Sequence, residues 1–352
     1  MEKLEDVLDC YDICRKRIFR GRKMLMCESQ DGLLYGVTES NLSEGRLQRE
    51  YLVKQYLIQQ GFTRVDQLCR NKEGNFLTED RYHTTFLVKH FFNGRELEVG
   101  SLEEVRQGAY NLACLHTCAR GMQTWIAEEE RKLKEEAEKF EEMKETMDAY
   151  QWLFELFAKR NRELKRISVY MRKPGRKGEF VQAYNDCAEL FLQEGKQTLE
   201  CLQGMKEMME YPQNGIASGF CHGSYQHHNV MRQDSDWATI GMEQFHFGAQ
   251  LEDLYDFLRK VLEKNSYNYA YAQAVLKGYS EKNSLRDIDY RCLYLLLMYP
   301  EKFWKIANRY FNSKKTWVPP KMVEKLSNVV KQNQEKSDFL VKFREDFVGS
   351  AH

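Results

Sequence analysis

The chain has 352 residues, with 53 lysines and arginines against 53 aspartates and glutamates, and so carries no formal net charge at pH 7. That balance excludes nucleic-acid binding through bulk positive charge, and equally a long acidic tail or a polybasic membrane anchor. With 42% hydrophobic residues, 13% aromatics and only 5 prolines, the composition is that of a globular chain with a substantial core, divided into two lobes or domains.

In chain order, the first ~90 residues read as strands around one helix. Ile18-Phe19 precedes the turn-like Arg20-Gly21-Arg22, and Met24–Cys27 and Leu33–Val37 flank Asp31-Gly32, a hairpin turn. From Arg46 to Gln60 the apolar residues Leu47, Tyr51, Leu52, Leu57 and Ile58 form a helical face that Gly61 ends. Asn71–Asn75 turns into further strands, closing at Thr85-Phe86-Leu87-Val88-Lys89.

From Leu102 onward the pattern is almost wholly helical. Residues 128–166, dense in Glu and Lys with Leu133, Ala137, Phe140, Met143 and Met147 at three-to-four spacing, read as a solvated amphipathic helix with one buried stripe. The basic break Lys173-Pro174-Gly175-Arg176-Lys177-Gly178 leads into another long helix, roughly 180–209. The main non-helical island after residue 100 is 219–250. The ten cysteines are spread thinly with no CxxC pair, and no apolar signal segment opens the chain, which together point to a reducing cytoplasm. The longest apolar run, Cys292–Tyr299, is far short of the ~20 residues a membrane span needs.

The island contains Cys221-His222-Gly223-Ser224-Tyr225-Gln226-His227-His228-Asn229. This resembles the catalytic loop of the kinase-like small-molecule phosphotransferases, the aminoglycoside and choline kinases among them: His-Gly-Asp, four residues, then Asn. The resemblance implies that the Asp orients the substrate hydroxyl and that the Asn binds magnesium. Here His222, Gly223 and Asn229 match, but Ser224 stands at the Asp position, and a neutral hydroxyl cannot replace an ionised base. Aligning Gly248 and Asp253-Leu254 with the family puts Gly241 at the metal-binding Asp, where it offers no ligand. Glu243, sharing a strand face with position 241, is the misplaced substitute. Asp253 corresponds to the residue that braces the catalytic loop, and Leu112–His116 is similar to the family's Leu-Ala-x-Leu-His helix. In the small lobe Glu50 corresponds to the helix glutamate, and Val37 takes the place of the strand lysine. The hinge falls around Val88-Lys89, and Gly21 alone cannot make a phosphate-binding glycine loop.

A narrower resemblance rests on Phe220–Gly223, Phe245–Gly248, Phe257–Lys260, Asn161–Arg166 and above all Tyr299-Pro300-Glu301-Lys302-Phe303-Trp304-Lys305-Ile306-Ala307-Asn308. These segments are similar to the spore-coat kinase-like proteins of the CotS type. The expected fold class is therefore α+β and bilobal, protein-kinase-like. A small antiparallel-sheet lobe with one helix (1–92) would precede a mainly helical lobe (93–352), which carries a charged helical insertion at about 125–180 and a degenerate catalytic loop at 220–253.

The resemblance implies synthesis in the cytoplasm and a final place on the spore coat. The partners would be other coat proteins, with no nucleic acid and no membrane, and the role structural or recruiting without efficient phosphotransfer. No catalytic residue is expected to be active, no metal site is expected, and no cofactor is required. Residual ATP or magnesium binding stays open in a cleft of Glu50, Val88, Asn229 and Glu243. The alternative is a small-molecule phosphotransferase using ATP and magnesium with a rearranged metal site. Zinc on Cys221, His222, His227, His228 and His246 lacks a ligand pair at helical spacing, Cys114, His116 and Cys118 read as core packing, and Ser224 lacks the elbow of a hydrolase nucleophile.

Overall fold

In the computed structural model, residues 6–22, 24–133, 146–313 and 320–349 are described. The small lobe is an antiparallel sheet in the order β1 (Arg15–Arg20), β2 (Leu25–Ser29), β3 (Leu34–Glu39), β6 (Thr85–Phe91), β4 (Gln67–Leu68), with β5 (Leu77–Glu79) also paired to β6. Helix α1 (Glu44–Gln59) follows β3; Ser43 caps it by accepting from the Arg46 N–H, and Gly61 at φ +89° ends it.

Strand alternation divides the sheet into two faces. Leu25, Cys27, Tyr35, Val37, Phe86 and Val88 look outward, where Val7, Leu8 and Tyr11 cover them. Leu87 looks inward to Leu47 and Leu68, and Lys89 shares its side. Val37 therefore belongs to the outer layer, paired with Val88, and cannot be the position from which a lysine would enter the cleft. The inward residue beside it is Gly36, whose cross-strand partner is Lys89.

β6 continues through Lys89 to Phe91, and Phe92-Asn93-Gly94 then leads into β7 (Arg95–Glu96). The hinge thus lies three residues beyond Val88-Lys89, both of which are buried strand residues. β7 joins β10 (Val230–Gln233) and β11 (Asp236–Thr239) in one three-stranded sheet, and β8 (Thr146–Met147), β9 (Ile216–Cys221) and β12 (His246–Ala249) form another.

The large lobe is built from α2 (Leu102–Cys118), α3 (Met122–Leu133), α4 (Ala149–Met171), α5 (Glu179–Gly204), α6 (Leu251–Lys264), α7 (Tyr269–Ser280), α8 (Asp287–Met298), α9 (Glu301–Phe311), α10 (Pro320–Lys331) and α11 (Asn333–Phe343). Its core runs through Leu112, Leu115, Phe220, Tyr225, Leu254, Phe257 and Leu293. The continuous helix expected over 128–166 is instead α3, strand β8 and α4. Asp148 caps α4 by accepting from the Gln151 N–H, and Met147 pairs with Ile216 in β8, so a β-bridge and a cap override the helical spacing. Ala137, Phe140 and Met143 lie outside the described residues. The helix expected over 180–209 breaks at Met205 before a single turn, Lys206–Met209.

Two of the five sequence segments that carry the narrower resemblance, Asn161–Arg166 and Tyr299–Asn308, meet. Asn161 accepts from the Tyr299 hydroxyl at 3.1 Å, Glu163 from the Trp304 indole N–H at 2.8 Å, and the Arg160 guanidinium reaches Glu301 at 2.7 Å. They form one part-buried joint between α4 and α9.

Candidate functional site

Two loops of the large lobe face the small lobe across the cleft. The first is residues 222–229. Asp253, in the first turn of α6 and buried, accepts from the His222 N–H at 2.5 Å and the Gly223 N–H at 2.9 Å. His116 approaches the same carboxylate at 3.2 Å and is itself held by the Tyr279 hydroxyl at 2.8 Å. Burial disfavours the charged form, but His116 and the His222 N–H overrule it and hold the Asp253 carboxyl below its ordinary range. His222 is bonded to the Ile240 carbonyl at 3.0 Å, and burial keeps its pKa low. Gly223 needs its φ of +73° and its missing side chain, because a Cβ would stand 2.1 Å from the Gln244 carbonyl oxygen.

Ser224 offers its carbonyl to the Asn229 amide at 2.9 Å, and its hydroxyl lies 3.5 Å from the Gln226 amide. Among the described residues no basic group is bonded to that hydroxyl. Gly241 sits at φ +77°, and a Cβ there would meet the Asn229 side chain at 3.2 Å. The vacancy at 241 is therefore filled by Asn229 itself.

The second loop, 241–245, is a turn and not a strand, so Glu243 does not share a strand face with Gly241. Arg46 of α1 donates to the backbone carbonyls of Glu243 at 3.0 Å and Phe245 at 2.6 Å, with its guanidinium 3.8 Å over the Phe245 ring. That clamp points the Glu243 carboxylate away from Asn229 and onto Lys89, with which it makes a short ion pair.

Lys89 also reaches Glu50 at 3.0 Å and Asp66 at 3.3 Å, while Lys54 reaches Glu50 at 2.6 Å and Asp66 at 3.1 Å. Glu50, Asp66, Lys54 and Lys89 are all buried; the Glu243 side chain keeps 36% of its exposure. Burial alone would drive the Lys89 ammonium toward neutrality, but Asp66, Glu50 and Glu243 hold its pKa well above the ordinary value. In return the two lysines overcome burial to keep Glu50 low and Asp66 at about 2. Three carboxylates and two ammonium groups thus form one closed cluster at the back of the cleft.

The mouth is bridged as well. Arg22, in the β1–β2 turn, contacts Glu96 at 2.9 Å and the His228 ring at 2.7 and 2.8 Å, and His228 in turn meets Glu96 at 2.5 Å. Burial holds His228 below its ordinary pKa in spite of Glu96. At the roof, the Met24 sulfur lies 2.7 Å from where a Gly36 Cβ would stand. At the back, the Thr239 N–H donates to the Arg64 carbonyl at 2.9 Å, next to the Val65–Thr239 bridge.

Of the residues singled out in the sequence, the structure gathers Glu50 and Glu243 in the cluster, and His222, Gly223, Ser224, Asn229, Gly241 and Asp253 in the loop. It separates Val88, which faces the outer layer. Lys89, Lys54 and Asp66, and the Arg22–Glu96–His228 bridge, are missed by motif reading. A signal for one of them was present: Lys54 lies on the apolar face of α1, four residues after Glu50, and a lysine there needs a buried partner. Among the described residues the histidines do not gather at one point: the His227 ring lies tilted against His228 with centroids 3.6 Å apart and is pushed down to about 3 by burial and by His228, while His246 faces Glu252 at 3.5 Å.

A magnesium ion, which the kinase-like fold implies, is not matched by these residues. Among the described residues the one trio of ligand-type groups is Glu50, Asp66 and Glu243, and the Lys54 and Lys89 ammoniums stand among them and offset two of the three negative charges. Gly241 contributes no ligand, and no step is assigned through a metal here.

Solved structures share this architecture. An aminoglycoside phosphotransferase from Alicyclobacillus acidocaldarius subsp. acidocaldarius DSM 446 superposes with a TM-score of 0.75 at 18% identity, over 97% of this chain and 96% of that one. A spectinomycin phosphotransferase solved with ADP and spectinomycin gives 0.65 at 11% identity over 98% of each chain. At these identities the likeness is one of fold: bilobal, α+β and kinase-like. "Spore coat protein S" of Bacillus subtilis (strain 168) is 25% identical over 174 residues, 47% of this chain and 48% of that protein, so the chain spans about half the length of the curated relative it matches. The family described as "Spore coat putative kinase YutH" matches residues 4–343, almost the whole chain, and the chain belongs to that family.

Proposed function

We propose that this protein is a component of the spore coat that keeps the kinase-like fold as a structural or recruiting scaffold and does not transfer phosphate efficiently. The observation that carries the reading is the capture of Lys89. Lys89, which faces the cleft from the sheet, is held by three carboxylates of its own chain, one of them Glu243, and is so kept from a nucleotide phosphate. Ser224 and Gly241 remove the base and the metal ligand. Losing a general base costs about 10²–10⁴ in rate, and phosphoryl transfer leans still more on metal and charge placement. The family and the B. subtilis relative support the coat as its final location; synthesis in the cytoplasm and other coat proteins as partners belong to the same proposal.

Two measurements test this. Thermal-shift titration with ATP, with and without magnesium, is expected to give little or no stabilisation, and a phosphotransfer assay to stay at the level of a Glu243→Ala control. Magnesium-dependent ATP consumption well above that control overturns the reading. Detection of the protein in purified spores tests the location.

The brace from Asp253 to His222 and Gly223, with His116 behind it, favours the second reading: a small-molecule phosphotransferase acting on a hydroxylated or amino-alcohol substrate. On that reading Glu243 would have to leave Lys89 and turn to Asn229 when nucleotide enters.

A further inference from the structure

We propose that the outward face of α4 between Arg162 and Lys173 docks an acidic segment of a partner protein that carries an apolar anchor. The inference rests on the scaffold role proposed above and gives it a surface and a partner chemistry. Arg162, Lys165, Arg166 and Val169 recur at three-to-four spacing and so share one face of α4, and Lys173 follows two residues past its end. With Tyr170 and Phe311 they line a surface groove of about 420 Å³, within the size range of ligand sites.

The charges of this groove are of one sign. Among the described residues none of Arg162, Lys165, Arg166 and Lys173 has an ion-pair partner, although cations elsewhere on the surface find one: Arg106 pairs with Glu103 and Glu281, Lys132 with Glu129. On the inner side of the same helix Arg160 is satisfied by Glu301. Two arginines at the groove are held by rings and not by carboxylates. Arg166 lies 5.0 Å over Phe311, Arg176 lies 4.0 Å over Tyr170, and the two rings meet edge to face at 5.0 Å. A cation placed on a ring keeps its full charge and its donors for a ligand.

The floor is apolar. Val169 is 59% exposed at the centre of the cationic rim, an arrangement that suits an aliphatic or aromatic side chain inserted between carboxylates. An apolar pocket rimmed by charges of one sign is complementary to an acidic protein segment. A nucleic acid would use the cations and leave the floor unfilled, and the zero net charge of the chain gives it no wider attraction.

The test uses the full chain and a fluorescein-labelled 14-residue peptide of Glu and Asp with two central leucines, followed by anisotropy. Saturable micromolar binding is expected, weakening at least ~10-fold between about 50 and 300 mM salt. The Arg162→Glu/Arg166→Glu variant is expected to bind at least ~10-fold more weakly, as are the Val169→Asp variant and a peptide with serines for leucines. All three substituted side chains are exposed, and unchanged circular dichroism confirms the fold.

Equal binding by the reversed variant overturns the proposal. So does equal competition by duplex DNA, which makes the face a general polyanion surface. Self-association that the variant abolishes but the peptide does not compete assigns the groove to a second copy and overturns the partner assignment. None of these outcomes bears on phosphotransfer, so failure here and failure of the scaffold reading are told apart.

Discussion

Replacing Lys89 by Met keeps most of the side-chain stem and deletes the charge that binds Glu50, Asp66 and Glu243. At an effective dielectric near 20, each contact of about 3 Å is worth roughly 5 kcal/mol in gross attraction. Most of that is offset in the wild type by desolvation of the ammonium. The variant recovers the desolvation but leaves the buried Glu50 and Asp66 sharing Lys54 alone and takes from Glu243 its ion pair with Lys89. Removing one partner of a buried ion pair costs about 3–5 kcal/mol, and that is the expected loss for Lys89→Met.

The control is Lys16→Met, whose pair with Glu28 is made by a lysine side chain 59% exposed and is worth less than about 1 kcal/mol. Urea unfolding at pH 7, followed by circular dichroism, compares the three proteins through their midpoints at a common slope. If Lys89→Met lies within about 1 kcal/mol of wild type and cannot be told from Lys16→Met, the cluster does not hold the lobe together and the argument fails.

Asp253→Ala removes the acceptor for the His222 and Gly223 amides and for His116. It is expected to cost about 2–4 kcal/mol and to speed hydrogen exchange at amides 222 and 223. Gly241→Asp, made to restore a carboxylate, forces a side chain into φ +77° against Asn229 at 3.2 Å. A loss of about 1–2 kcal/mol is expected, and the double variant with Ser224→Asp should still turn over no ATP in a coupled assay, because Lys89 stays captured. Folded Asp66, at about 2, lies below its unfolded value. Its contribution, on the order of 2 kcal/mol, is therefore present above about pH 4 and lost as pH falls toward 2. The stability difference between wild type and Asp66→Asn should shrink over that window, and a difference that does not change with pH would refute the assignment.

Much of the site could be read in the sequence because it depends on local order. The run from His222 to Asn229, then Gly241, then Asp253 fixes a loop, a vacancy and a brace at set spacings. The Asp31-Gly32 turn fixes the register of β2 and β3, which in turn decides which residues can oppose each other. Lys89 shows where that reading stopped. It ends an apolar strand in the sequence and looks like the start of the hinge, yet β6 runs two residues further and turns Lys89 inward. The expectation at Val37 failed for a related reason: alternation puts Val37 and Val88 on the outer face together, and the inward place opposite Lys89 is Gly36. Met147 shows the reverse, a residue with helical spacing taken into a strand by its pairing with Ile216.

The sequence by itself determined the lobes, the order of the elements and the lack of a carboxylate at 224 and 241. These follow from residue type and spacing, which need no knowledge of distant contacts. It also determined that 53 positive and 53 negative side chains cancel, but a sum carries no positions. Only the tertiary structure decided which charges meet. Lys89 and Glu243 are 154 residues apart, and Arg22 and His228 206 apart, and pairs so distant are chosen by strand face and loop closure alone. The same packing buries Glu50, Asp66, Lys54 and Lys89 at the back of the cleft and, among the described residues, leaves Arg162, Lys165, Arg166 and Lys173 without an ion-pair partner.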